Sequence, residues 1–88
     1  MSETLITLVS KPGCHLCELA RLVIDAVVQG LDTESPGLKI SLEELSILEE
    51  PQLLARYAFE IPVVLVNGRI HTILRVDPDR LRATLLEV

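Results

Sequence analysis

The chain has 88 residues, with eight basic against thirteen acidic side chains and a formal charge of −5, which confines it to one small domain, residues 1–88, around one core. At 49% hydrophobic and 24% charged residues it is too apolar for a disordered tail and too interrupted by charge for a bilayer span. A pI near 4.9, no basic block, and Tyr57 and Phe59 as the whole aromatic complement argue against nucleic acid as a partner.

Residues 4–9, apolar and β-branched, read as a buried strand that stops at the turn Ser10-Lys11-Pro12-Gly13. Glu3 rather than a basic stretch precedes this run, so no secretory signal is read and a cytoplasmic location is expected. From His15 to Gln29 a helix is read, with Leu16, Ala20, Val23, Ile24, Val27 and Leu31 recurring at helical spacing and Gly30 as the stop. Residues 31–37 then form a surface loop. Leu38, Ile40 and Leu42 alternate with polar residues as a second strand, and Glu43-Glu44 shifts the phase, which predicts a bulge or an early end there. Glu50-Pro51 opens a short helix carrying Leu53, Leu54 and Tyr57 and ending near Ala58. Residues 63–66, the pair Asn67-Gly68 and the alternating Ile70, Thr72, Leu74 and Val76 are a hairpin, because both residues of a tight primed turn need positive φ. Asp77-Pro78 caps a last helix whose Leu81, Leu85 and Val88 face inward. The order β-α-β-α-β-β-α, with a helical crossover first and a hairpin later, predicts a four-stranded mixed sheet with helices on both faces.

Chemistry concentrates at Cys14-His15-Leu16-Cys17. Two cysteines cannot build a disulfide framework of the secreted kind, and a close pair in a reducing compartment points to catalysis, redox sensing or metal binding. At a helix N-terminus, unpaired N–H groups and the helix dipole favour a thiolate on the first cysteine, so Cys14 is the expected attacking sulfur. Cys17, one turn deeper, is the expected resolving thiol. The competing reading is an inert buried pair or half of a metal site. His15, if protonated, would stabilise the neighbouring thiolate and make the couple more oxidising; otherwise it is an exposed residue that affects solubility alone. Pro62 must start a strand or lie at its edge. Beside a cysteine turn, Ile61-Pro62 fits a cis peptide whose exposed backbone pairs with an incoming segment, the alternative being an ordinary trans proline. His71, outward on the hairpin, reads as solvated. Glu43, Glu44, Glu49 and Glu50 read as a solvated face, and Tyr57 as core. Two cysteines with no histidine at ligand spacing leave a one-chain zinc site incomplete.

The segments Ser10-Lys11-Pro12-Gly13-Cys14-His15-Leu16-Cys17, Tyr57-Ala58-Phe59-Glu60-Ile61-Pro62-Val63-Val64 and Asn67-Gly68-Arg69 resemble the glutaredoxin-like proteins of the thioredoxin-fold superfamily, over nearly the whole chain. The resemblance implies an α/β three-layer sandwich of thioredoxin-like, glutaredoxin-type architecture. It implies Cys14 as nucleophile, Cys17 as resolving cysteine and Pro62 as a cis-proline facing them. Lys11 matches a lysine that in glutaredoxins lies beside the reactive sulfur and the glutathione carboxylate, and an ammonium there lowers a thiol pKa. The chain departs from the family in carrying Glu60-Ile61-Pro62 for Thr-Val-Pro, and Arg75-Val76-Asp77-Pro78-Asp79 where paired glycines precede the last helix. These departures count against efficient glutathione binding. Leu8 also stands where thioredoxins carry a buried aspartate.

The expected function is thiol–disulfide exchange with a disulfide-containing protein or glutathione, by a cytoplasmic monomer that needs no bound cofactor and uses glutathione at most as co-substrate. Two other readings are an iron–sulfur or metal carrier with cysteine ligands from two subunits, and a binding module that kept the fold and lost exchange.

Overall fold

In the computed structural model, which describes residues 3–57 and 59–87, the elements follow the order β1 (Glu3–Ser10), α1 (His15–Glu34), β2 (Lys39–Ser46), α2 (Pro51–Tyr57), β3 (Val63–Val66), β4 (Arg69–Ile73) and α3 (Pro78–Glu87). The strands form one sheet in the order β2-β1-β3-β4. β1 runs parallel to β2 and antiparallel to β3, and β3 is antiparallel to β4, so the sheet is mixed as expected. Readings that fall on the Leu54 side chain, Ala58 and Val88 lie outside the described residues and side chains.

β1 is central and covered on both faces, which explains its near-continuous apolar run. Successive side chains alternate between faces. Ile6 and Leu8, with Val64 and Val66 of β3, pack against Ala20, Ile24 and Leu31 of α1 and Leu81 and Leu85 of α3. Val9 and Val63 point the other way, toward Ile47, Tyr57 and Ile61. α1 and α3 therefore cover one face and α2 the other, giving three layers. Tyr57 is core, 4% exposed. Leu8, fully buried, belongs to the apolar cluster under α1 and α3.

Three expectations about element ends are corrected. Gly30 does not stop α1, which continues to Glu34 and shortens the loop. Leu31, one heptad beyond Ile24, is fully buried, and burying a leucine stabilises by about 1.5–3 kcal/mol against about 1 kcal/mol for a helical glycine. The helix closes where the Ser35 N–H donates to the Leu31 carbonyl at 2.7 Å. Glu43-Glu44 makes no bulge either, because β2 stays in register with β1 from Glu3↔Lys39 to Ser10↔Ser46. The two carboxylates point to opposite faces and each meets a hydroxyl of β1: Thr7 Oγ1 donates to Glu43 and Ser10 Oγ to Glu44, both at 2.8 Å. The broken apolar phase is thus a pair of satisfied polar side chains on an unbroken backbone. The irregularity lies instead between β3 and β4, where Leu65 pairs with Ile70 but Val64 with Thr72, leaving His71 as the extra residue. β4 also ends at Ile73, before Leu74, whose φ of 68° cannot continue a strand.

The hairpin turn and the cap of the last helix agree with the sequence. Asn67 and Gly68 have φ of 52° and 82°, and the Asn67 side chain accepts the Leu5 N–H at 2.9 Å. Asp77 Oδ1 accepts from the N–H groups of Asp79 and Arg80 at 2.9 and 3.3 Å, capping α3.

Candidate active site

The turn after β1 delivers the cysteines. Gly13 takes a φ of +74°, which turns the chain so that Cys14 enters as the N-cap of α1. Cys14 is extended, with φ −90° and ψ 111°, and its Sγ accepts a hydrogen bond from the Cys17 N–H at 3.2 Å. The Cys14 carbonyl accepts from the Glu18 N–H, the first bond of the helix. One turn separates the thiols, and they are joined as a disulfide with a Cα–Cα distance of 5.2 Å.

The two sulfurs sit in different surroundings. Cys17 is 1% exposed among Val9, Ile47, Tyr57, Ile61 and Val63, whereas Cys14 is half-buried at the edge of that cluster. Ile61, from the segment before β3, is thereby brought to the cysteine turn. The Ile61–Pro62 peptide is cis. Pro62 itself is buried and its carbonyl accepts the Leu74 N–H at 2.7 Å, so the exposed pairing backbone expected of this pair is not offered by the Pro62 carbonyl.

Beside Cys14 lies a cavity of about 300 Å³ whose walls include Ser10, Lys11, Glu18, Arg21 and Glu44. Lys11 is exposed at its rim, and His15 is exposed on the first turn of α1. Arg21 and Glu44 span the cavity: Arg21 Nε donates to Glu44 Oε1 at 2.8 Å and its NH2 to Oε2. The Arg21 guanidinium, aided by the Ser10 hydroxyl, holds the Glu44 carboxyl below the usual carboxylate range against a smaller opposing effect of burial. Glu44 stays solvated, its side chain 37% exposed, and gains Arg21 and Ser10 as partners that its sequence neighbourhood does not name. Arg21 follows Cys14 by two helical turns, which puts it on the same side of α1, but nothing in the sequence pairs it with Glu44; only the β1–β2 register does.

His71 departs from the solvated position expected of it. As the bulge residue it is half-buried, its Nε2 has no hydrogen-bond partner among the described residues, and burial together with the nearby charge of Arg80 pushes its pKa down. It belongs neither to the walls of the cavity beside Cys14 nor to the cluster around Cys17. Among the described residues no group of three or more His, Cys, Asp and Glu side chains is placed to hold a metal ion, and no helix is long and apolar enough to cross a membrane.

The family model described as Glutaredoxin-like domain (DUF836) matches residues 5–86. An uncharacterized protein of Mycobacterium tuberculosis is 31% identical over 90 residues, covering 97% of this chain and 86% of the relative. Among solved structures, a structural-genomics target from X. campestris aligns with a TM-score of 0.72 at 25% identity, over 94% of this chain and 97% of that one. Chloroplastic thioredoxin z aligns with the same TM-score at 13% identity, over 97% of this chain and 77% of that one, a likeness of fold alone. A cysteine turn capping α1, a cis-proline before β3, this sheet order and the family match over nearly the full length agree: the chain belongs to the glutaredoxin-like domain family.

Proposed function

We propose that the protein is a thiol–disulfide oxidoreductase in which Cys14 attacks and Cys17 resolves. The observation that carries this reading is the asymmetry of the pair: a reachable Cys14 at the N-cap of a 20-residue helix, bonded to a Cys17 that is 1% exposed. In the reduced protein the Cys14 thiolate faces the positive end of α1 and the Cys17 N–H, both of which favour the anion. It attacks one sulfur of a partner disulfide, forming a Cys14–partner bond as the partner's own S–S bond breaks. The leaving thiolate takes a proton from solvent. Cys17, deprotonated to solvent, then attacks Cys14 Sγ and expels the second partner thiolate, so the partner gains two electrons and the pair is left as the disulfide.

In this scheme Lys11 and, when protonated, His15 add positive charge near the Cys14 thiolate, and Ile61, with the buried Pro62 behind it, borders the place where the partner lies. The partner is a disulfide-containing protein or glutathione. No bound cofactor enters any step. A monomer suffices because one chain supplies both thiols, and a cytoplasmic setting fits because its reducing poise returns the pair to the dithiol.

The test is a pair of serine variants assayed for turnover of a disulfide substrate. Cys14→Ser is expected to abolish turnover, whereas Cys17→Ser is expected to accumulate mixed disulfides on Cys14. Equal activity in the two variants refutes the assignment.

A further inference from the structure

Leu16 stands between the two cysteines, and from it a second groove, of about 350 Å³, runs along α1. Leu16, Leu19 and Leu22 form one wall, and Leu74, Arg75 and Val76, between β4 and α3, form the other. The surface is apolar yet open: Leu19, Leu22 and Leu74 are 45%, 65% and 43% exposed. Clustered apolar side chains left open on a chain of this size mark a contact surface.

The second wall is held in place. Leu74 adopts a φ of 68°, a conformation disfavoured for a leucine, and its N–H donates to the Pro62 carbonyl at 2.7 Å. The Arg75 N–H donates to the Ile73 carbonyl at 2.7 Å, and Thr72 Oγ1 donates to the Arg75 carbonyl at 2.8 Å. The first bond ties the wall to the residue that follows Ile61 beside the cysteines, and the other two brace residues 72–75 internally. Among the described residues Arg75 is the one charged residue lining the groove, and its guanidinium makes no ion pair or side-chain hydrogen bond with any of them.

We propose that this groove receives the stretch of partner polypeptide flanking the cysteine that becomes joined to Cys14, and that it selects a stretch with apolar side chains and one Asp or Glu for Arg75. This rests on the exchange reading above and narrows its partner to proteins. In the mixed disulfide the partner sulfur is bonded to Cys14 Sγ, so the residues beside it must pass Leu16. The six helical steps from Leu16 to Leu22 span about 9 Å, which about three residues of extended chain cover. Glutathione has no apolar side chain to fill that span. The charge left unpaired on Arg75 supplies the acidic preference.

Two synthetic peptides, each with one cysteine activated as a thionitrobenzoate mixed disulfide, provide the probe. One carries Leu, Val and Glu within three residues of its cysteine, the other Ser and Lys at the same places. With Cys17→Ser protein, Cys14 attacks the peptide sulfur, forms the peptide disulfide and expels coloured thionitrobenzoate, one S–S bond broken for one formed. The apolar acidic peptide is expected to react about tenfold faster than the polar basic one. Leu19→Glu together with Leu22→Glu is expected to bring that ratio near one, and Arg75→Glu to move it toward the basic peptide. A ratio near one in the parent protein, or one that none of these substitutions changes, overturns the groove assignment while leaving the exchange reading intact. If Cys14 of the parent protein fails to react even with hydroxyethyl disulfide, the exchange reading itself falls, and the groove assignment with it.

Discussion

Reducing the Cys14–Cys17 bond is expected to lower the unfolding free energy by about 1 to 1.5 kcal/mol. The bond joins residues at a sequence separation of 3, and the chain-entropy relation gives about 2 kcal/mol at 25 °C for so short a loop. The value is small because the entropy withheld from the unfolded chain grows only with the logarithm of loop length. Opposing it, the reduced protein places the Cys14 thiolate at the N-cap of α1, which stabilises the dithiol form by about 0.3 to 1 kcal/mol. The net balance favours the disulfide, so the folded couple is more reducing than the same pair in an unfolded chain by roughly 20 to 30 mV. Urea unfolding followed by far-UV circular dichroism, on oxidised protein and on protein kept reduced by excess dithiothreitol at the same pH, measures the difference from the two midpoints at a common slope. A reduced form more stable than the oxidised one would refute the reasoning. Thiolate stabilisation would then outweigh loop closure, and the couple would run as an oxidant.

Ile24→Ala removes a fully buried side chain from the cluster between α1, α3 and the sheet, and is expected to cost about 2 to 5 kcal/mol, seen as a lower urea midpoint with an unchanged slope. A loss below about 1 kcal/mol would show that α1 does not depend on that contact. Glu44→Gln tests the Arg21–Glu44 pair by pH. A carboxyl held below its ordinary value of 4.5 when folded adds stability above that pH and loses it as the pH falls through the depressed value. Near neutrality the wild type is expected to exceed the variant by less than about 1 kcal/mol, since both partners are more than a third exposed. The gap should close as the pH drops below 4.5. A gap of constant size into strong acid would assign the effect to something other than this ion pair.

Features that depend on residues close along the chain were open to reading from the sequence. The helix start at the cysteines, the Asp77 cap and the Asn67-Gly68 turn each use hydrogen bonds or φ values within a few residues, so residue type at a given spacing determines them. The cysteine pair is readable for the same reason: one helical turn brings the thiols together wherever the rest of the chain goes. The element order follows from apolar periodicity, which local sequence carries completely.

Tertiary structure decided what distant partners settle. Glu44 lies 23 residues from Arg21 and 34 from Ser10, and only the register of β2 on β1 makes a spacing within the sequence into a wall of the cavity beside Cys14. Gly30 signals a stop, yet α1 runs on because Leu31 finds a buried place between the sheet and α3. His71 alternates as a surface residue, yet a register shift against β3 makes it the extra residue and half-buries it. Leu74 has no turn signal of its own; its left-handed backbone is fixed by the Pro62 carbonyl, which places the far wall of the groove beside the cysteines. Sequence alone determined the chemistry available to this protein, because thiol spacing and helix capping are local. The surfaces that would choose its partner were decided by the fold, because they are made of side chains that only strand pairing and core packing bring together.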